Sequence, residues 1–251
     1  MPLYLRFALP LCALALGVAC GFVHVQGALA TLLFMALVLG PWPASAHSWR
    51  LLVTLYAVLL AAHVLPGFTP WNVQPAQMIS ADAAPYQLRL SWDKWLMGLT
   101  LLAWWLGQPR TTAKQPSRVA PLLILTALMV PALAMALGLV AWQPKWPTLL
   151  WPWLAINLGV AVLAEELLFR GLLQPWLIRL LGTWPGLLLT ALLFGAAHVP
   201  FSPLFAVVAA VAGLSYGLVL HYSGRLSLAM ALHGVVNLTH FLLLSYPLRL
   251  T

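Results

Sequence analysis

Long apolar runs constrain this chain more than any other feature. They fall at roughly 3–25, 27–44, 50–67, 92–108, 119–142, 148–170, 183–199, 203–222 and 226–247. A helix needs about 20 apolar residues to cross ~30 Å of hydrocarbon. The expected fold is therefore all-α, a polytopic transmembrane helical bundle with eight or nine spans; the fourth run is short and opens on Asp93-Lys94. Composition agrees: 63% of the residues are hydrophobic, 6% are charged and the mean hydropathy is +0.96. A soluble domain carries roughly 25% charged residues, and no water-soluble surface can be built from this inventory.

The charge balance, 12 Lys+Arg against 4 Asp+Glu, does not point to nucleic acid. The basic residues stand singly between apolar runs, with no cluster and no interleaved aromatic platform. They fit the orientation rule for membrane helices instead. With the N-terminus cytoplasmic, Arg6, Arg50, Arg110, Lys114, Arg118, Arg179 and Arg225 face the cytoplasm, while Arg89, Lys94, Lys145 and Arg249 face outward. The first run is expected to remain as an uncleaved helix. Cys12 and Cys20 lie too far apart on it to bridge.

The segment 68–92 is the longest polar interval, rich in Pro, Gln, Asp and Ser, and its tail YQLRLSW alternates like a strand or lies flat at the interface. Asp82 belongs to this interval and Asp93 stands at its end. His24, His47, His63, His221 and His240 sit near run ends or outside the motifs below, where interfacial placement is the default; His240 shares a helix face with His233.

Both glutamates of the chain occur side by side within an apolar run, in Ala164-Glu165-Glu166-Leu167-Leu168-Phe169-Arg170. A buried carboxylate without partners costs several kcal/mol, so an ionisable pair inside the membrane points to function. Glu166 and Arg170 are four residues apart and face each other one turn on. Glu165 lies about 100° around the helix and is expected to turn away from that pair, toward a cavity. Downstream, Phe194-Gly195-Ala196-Ala197-His198 ends one apolar run. His233-Gly234-Val235-Val236-Asn237 puts an imidazole and an amide on one face of the last. Polar groups on three separate apolar helices have the makings of an active site assembled in a bundle core.

EELLFR, FGAAH and HGVVN resemble, in order, the motifs EExxxR, FxxxH and HxxxN of the CAAX-protease and bacteriocin-processing family of intramembrane endopeptidases, which includes the CAAX prenyl proteases. The resemblance covers roughly 119–251, so the chain is divided into N-terminal helices (1–118) and a catalytic transmembrane core (119–251). It implies that Glu165, helped by His198, activates a water to attack a peptide carbonyl. His233 and Asn237 would donate hydrogen bonds to the oxyanion. Glu166 and Arg170 would hold the motif in shape, with Phe194 packing beside the site. The substrate implied is a membrane-associated peptide or protein, and the location a bacterial inner membrane.

Metal use stays open at this level. No HExxH is present, yet Glu165, His198 and His233 are donors of the types a three-ligand zinc site takes; a metal-free mechanism suits the same residues. Three other readings compete: a proton-coupled transporter built on the buried charges, a non-catalytic immunity or scaffold protein, and a serine protease using Ser215 of Gly213-Leu214-Ser215-Tyr216-Gly217. The two glycines of that last motif more simply make a helix-packing face.

Overall fold

The computed structural model describes residues 3–42, 47–109 and 115–250. Arg110 and Lys114, two of the basic residues assigned to the cytoplasm, lie outside the described residues. The chain is mostly helical: α1 (Leu3–Ala19), α2 (Val25–Leu39), α3 (His47–Ala61), α4 (Trp92–Trp105), α5 (Val119–Ala136), α6 (Leu150–Ile156), α7 (Leu163–Glu166), α8 (Gln174–Leu181), α9 (Thr183–Ala196), α10 (Pro203–Ser223) and α11 (Leu226–Leu243). Two π-helical segments, Asn157–Val162 and Leu167–Leu173, join α6, α7 and α8. Leu150–Leu181 is thus one helical run of 32 residues.

Among the described residues, four helices are long and apolar enough to cross a membrane: Pro116–Ala136, Leu150–Leu181, Pro203–Ser223 and Leu226–Leu243. α1, α2, α3 and α9 are apolar but shorter, and α4 has 14 residues. Large apolar side chains such as Leu29, Leu33, Ile124, Leu128 and Leu192 point outward. Outward-facing leucine is expected where the surrounding solvent is hydrocarbon rather than water.

The chain forms two compact units. The first comprises Met1–Val73, Arg89–Pro109 and Ala155–Leu173. Its centre is α4, which packs on α1, α2, α3 and α7. Trp92, Leu96 and Leu99 join Ala13, Leu14, Val23 and Met35 in one buried cluster. Gly98 permits the close approach of α7, because a Cβ there would stand 3.2 Å from the Ala164 Cα. Trp71–Asn72 and Arg89–Leu90 form a short antiparallel strand pair, which realises the strand-like alternation at the end of the polar interval.

The second unit comprises Gln74–Leu88, Arg110–Leu154 and Gln174–Thr251. Here α10 is central, packed on α5, α9 and α11. Its limits are written locally. The Ser202 side chain accepts from the Phe205 amide, Pro203 opens the helix, and Gly224 closes it in the left-handed conformation at φ 67°. Such a conformation favours glycine. The loop 74–88 is tied to the C-terminal segment: Asp82 Oδ2 accepts from Ser245 Oγ at 2.7 Å and pairs with Arg249 Nε at 3.1 Å.

Candidate active site

In the first unit, the α7 residues Glu165 and Glu166 are followed directly by the π-helical segment carrying Arg170. Single π turns inside helices recur at functional sites because they re-aim side chains. The expected Glu166–Arg170 pair forms, Oε1 to Nη1 at 3.1 Å, with both side chains 0% exposed. Two opposite charges this deep compensate each other, so the contact helps fix the helix face on which Glu165 sits.

Glu165 departs from expectation. It has a partner that spacing did not indicate: Lys94 Nζ donates to its Oε1 at 2.7 Å, the two side chains being 20% and 18% exposed for lysine and glutamate. Lys94, which opens the fourth apolar run, is thus mostly withdrawn from solvent against the α7 carboxylate. Its neighbour Asp93 is likewise not part of an exposed interval but buried in the first turn of α4. There its Oδ1 accepts the Lys94 amide at 2.8 Å and its Oδ2 meets His63 Nδ1 at 2.8 Å. An acidic residue at a helix N-terminus is also favoured by the helix dipole. The signal for these residues was present in the sequence, as a charged dipeptide opening an apolar run. The partner of Lys94, 71 positions away, was not readable from spacing.

The second unit brings together His198, His233 and Asn237. They line one pocket with Phe194, Tyr216 and His240, over a wall of small and branched apolar side chains from α5 and α10. It encloses about 580 Å³, its open mouth included. His198 follows the last turn of α9, and its Nδ1 lies 2.8 Å from the Phe194 carbonyl. A carbonyl oxygen can only accept, so Nδ1 carries the proton. In the neutral ring Nε2 then holds a lone pair. His198 is thereby presented as a base or hydrogen-bond acceptor through Nε2.

His233 is 5% exposed. Its ring stacks on Tyr216, with centroids 4.7 Å apart and planes 19° from parallel, and takes the edge of Phe194 at 5.9 Å and 83°. Phe194 therefore does more than pack nearby: its carbonyl sets the His198 tautomer and its ring walls His233. Asn237 lies one turn beyond His233 on α11. His240 Nε2 donates to the Ser245 carbonyl at 3.0 Å. Tyr216 was not singled out from sequence, since one aromatic in an apolar helix carries no distinguishing mark.

Ser215 lies in the middle of α10, donating to the Val211 carbonyl at 3.1 Å. That is the bond of a helix-interior serine rather than of a nucleophile on a sharp turn. Gly217 receives Gln174, whose Nε2 donates to the Gly217 carbonyl at 3.0 Å. Among the described residues, no group of three or more His, Cys, Asp or Glu side chains is arranged to hold a metal ion. The zinc reading of Glu165, His198 and His233 rests on their donor types.

Residues 146–239 match the family model described as type II CAAX prenyl endopeptidase Rce1-like. This region is similar to the Rce1-like family. It contains Glu165, Glu166, Arg170, Phe194, His198, His233 and Asn237, so all three motifs fall inside the match. It is narrower than the 119–251 core expected from the motifs. No curated protein and no solved structure matches the chain with significance. Lys94, Asp93 and His63 all lie outside the Rce1-like region.

Proposed function

We propose that the protein is an intramembrane endopeptidase that hydrolyses a peptide bond of a membrane-associated peptide or protein. Glu165, assisted by His198 Nε2, takes a proton from a water as its oxygen bonds to the carbonyl carbon. The carbonyl electron pair moves to oxygen, and N–H groups of His233 and Asn237 stabilise the oxyanion. Collapse breaks the C–N bond, and the proton passes to the departing amine. Glu166 and Arg170 keep the helix in the required shape. The location implied is an inner membrane spanned eight or nine times, with the N-terminus in the cytoplasm.

The observation that carries this reading is the pocket in which a tautomerically defined His198 joins His233 and Asn237. Three ordered motifs and the Rce1-like match support it independently. A positioned base contributes ~10²–10⁴-fold in rate, and one oxyanion donor ~10²–10³-fold. In detergent-purified protein given an internally quenched, farnesylated CAAX peptide, Glu165→Gln should abolish cleavage and His198→Gln should reduce it at least ~10²-fold. Both variants should keep the wild-type elution profile and melting temperature. Full cleavage by the folded Glu165→Gln protein would refute the reading. A parallel reaction with 1,10-phenanthroline, with and without added zinc, separates a metal-assisted from a metal-free route.

The partly buried pair Lys94–Glu165 and the contact of the buried Asp93 with His63 also favour a second reading, a proton-coupled carrier. That reading predicts substrate flux driven by a pH gradient in proteoliposomes, lost in Glu165→Gln, with no peptide cleaved.

A further inference from the structure

We infer that Lys94 is a positioning residue for Glu165, held in place by the Asp93–His63 pair. The inference rests on the proposed role of Glu165 and adds to it a residue from outside the three motifs. The contact itself is short, 2.7 Å between Nζ and Oε1, and about four-fifths of each side chain is withdrawn from solvent. Charge-assisted hydrogen bonds of this length are the strong ones, and water competes poorly for a pair so enclosed. Lys94 therefore supplies both a counter-charge and a fixed direction to the carboxyl that the proposed chemistry uses.

A lysine on a flexible four-carbon stem fixes nothing unless its own backbone is held. That anchoring is visible. The Lys94 amide donates to Asp93 Oδ1 at 2.8 Å, which secures the first turn of α4. Asp93 in turn binds His63 Nδ1, and its side chain is 5% exposed. His63 has a φ of 59°, a left-handed conformation uncommon outside glycine. The strain there is offset where surrounding contacts over-determine the geometry, and the Asp93 contact is one of them. Behind α4, Gly98 lets α7 approach to van der Waals contact, so the stem of Lys94 has a short and defined path to Glu165. The chain of constraint runs from the end of α3, through Asp93 and the first turn of α4, to the α7 carboxyl.

The test compares Lys94→Met, Lys94→Gln, Lys94→Arg and His63→Ala with wild type on the farnesylated CAAX peptide. Rates are normalised to monodisperse protein, and melting curves are recorded for all variants, with and without Glu165→Gln. Losing the outer partner that orients a metal-ligating side chain costs roughly 10–100-fold, and a loss of the same order is expected for the partner that orients Glu165. The expected result is a kcat lowered by about that factor in Lys94→Met and Lys94→Gln, with KM within about twofold of wild type, as for an interaction used in the transition state. Lys94→Arg should recover part of the loss, and His63→Ala should reproduce a smaller one. In the melts, Lys94→Met should lower the midpoint in wild type but much less in Glu165→Gln, because its partner charge is already gone.

Wild-type kcat in both Lys94→Met and Lys94→Gln, beside an inactive Glu165→Gln, would overturn this inference and leave the protease reading standing. An active Glu165→Gln would overturn both. If Lys94→Met does not fold, Lys94→Gln and the Arg variant carry the kinetic comparison. If the peptide is not cleaved even by wild type, the melting cycle still decides whether the pair couples, and additive midpoints would overturn it.

Discussion

A guanidinium and a carboxylate at 0% exposure are the most demanding residues of this chain. Arg170 and Glu166 form an ion pair with both side chains fully buried, so removing one leaves the other charge short of its closest compensation. Arg170→Met is therefore expected to destabilise by about 3–5 kcal/mol, the usual cost of breaking a buried pair. The double variant Arg170→Met/Glu166→Gln should recover much of that loss, because no orphaned charge remains. Chemical unfolding in a mild detergent, followed by tryptophan fluorescence, measures both. Equal losses in the single and double variants would show that the arginine acts by its stem packing rather than by its charge. The same spacing argument, four residues on one helix, made this pair readable from sequence. For Glu165 the geometry predicted only a direction. Its partner Lys94 comes from another helix, and no local period encodes that.

At the scale of elements, the motif FGAAH works because two helices come unusually close. A Cβ on Gly195 would stand 2.6 Å from the Ala206 carbonyl oxygen and 2.8 Å from the Ala210 Cβ. The first of these is backbone, so α9 and α10 must separate to admit even a methyl group. Gly195→Ala should cost about 1–3 kcal/mol, as over-packing does, and should slow peptide cleavage at the same time. Both effects follow from moving Phe194 and His198, which flank the glycine and line the pocket with α10 side chains. A melting temperature and a kcat both unchanged would contradict the close approach. In the sequence, Gly195 reads as one of the variable positions between Phe and His; its role follows from the neighbouring helix. The 32-residue run from Leu150 to Leu181 teaches a related lesson. The apolar run ends near position 170, but π-helical turns carry the helix onward without a loop.

For the molecule as a whole, the loop 74–88 illustrates how polar residues are used far from any motif. Asp82 joins Ser245 and Arg249, and Lys145 donates to the Leu244 carbonyl. Burial pushes the Lys145 ammonium below its ordinary value of 10.5, while the Asp82 charge works in the opposite sense. A lysine with a lowered folded value binds its proton less tightly than the unfolded chain does. Its contribution to stability therefore rises as pH climbs from the folded value toward 10.5. Asp82→Asn should lower the Lys145 value further and widen that window, which reductive methylation with carbon-13 and NMR titration would follow. It should also reduce the melting temperature modestly, since its ion pair with Arg249 is partly exposed, at 44% and 30% for arginine and aspartate. An unchanged Lys145 titration would mean that the Asp82 charge is not felt there.

Taken alone, the sequence determined that the chain is helical and apolar enough for a membrane, that one helix carries a facing Glu–Arg pair, and that its motifs resemble those of the CAAX-protease family. Each of these is a matter of composition or of spacing along one helix, and the physics of both is local. Only the tertiary structure decided that Glu165 is held by Lys94, that Asp93 is buried against His63, and that Phe194 fixes the His198 tautomer beside His233 and Tyr216. Apart from the Phe194–His198 bond, these contacts join positions tens of residues apart. Which side chains meet there depends on helix rotation and depth of approach, set by small residues such as Gly98 and Gly195, and hydrophobic periodicity does not record that.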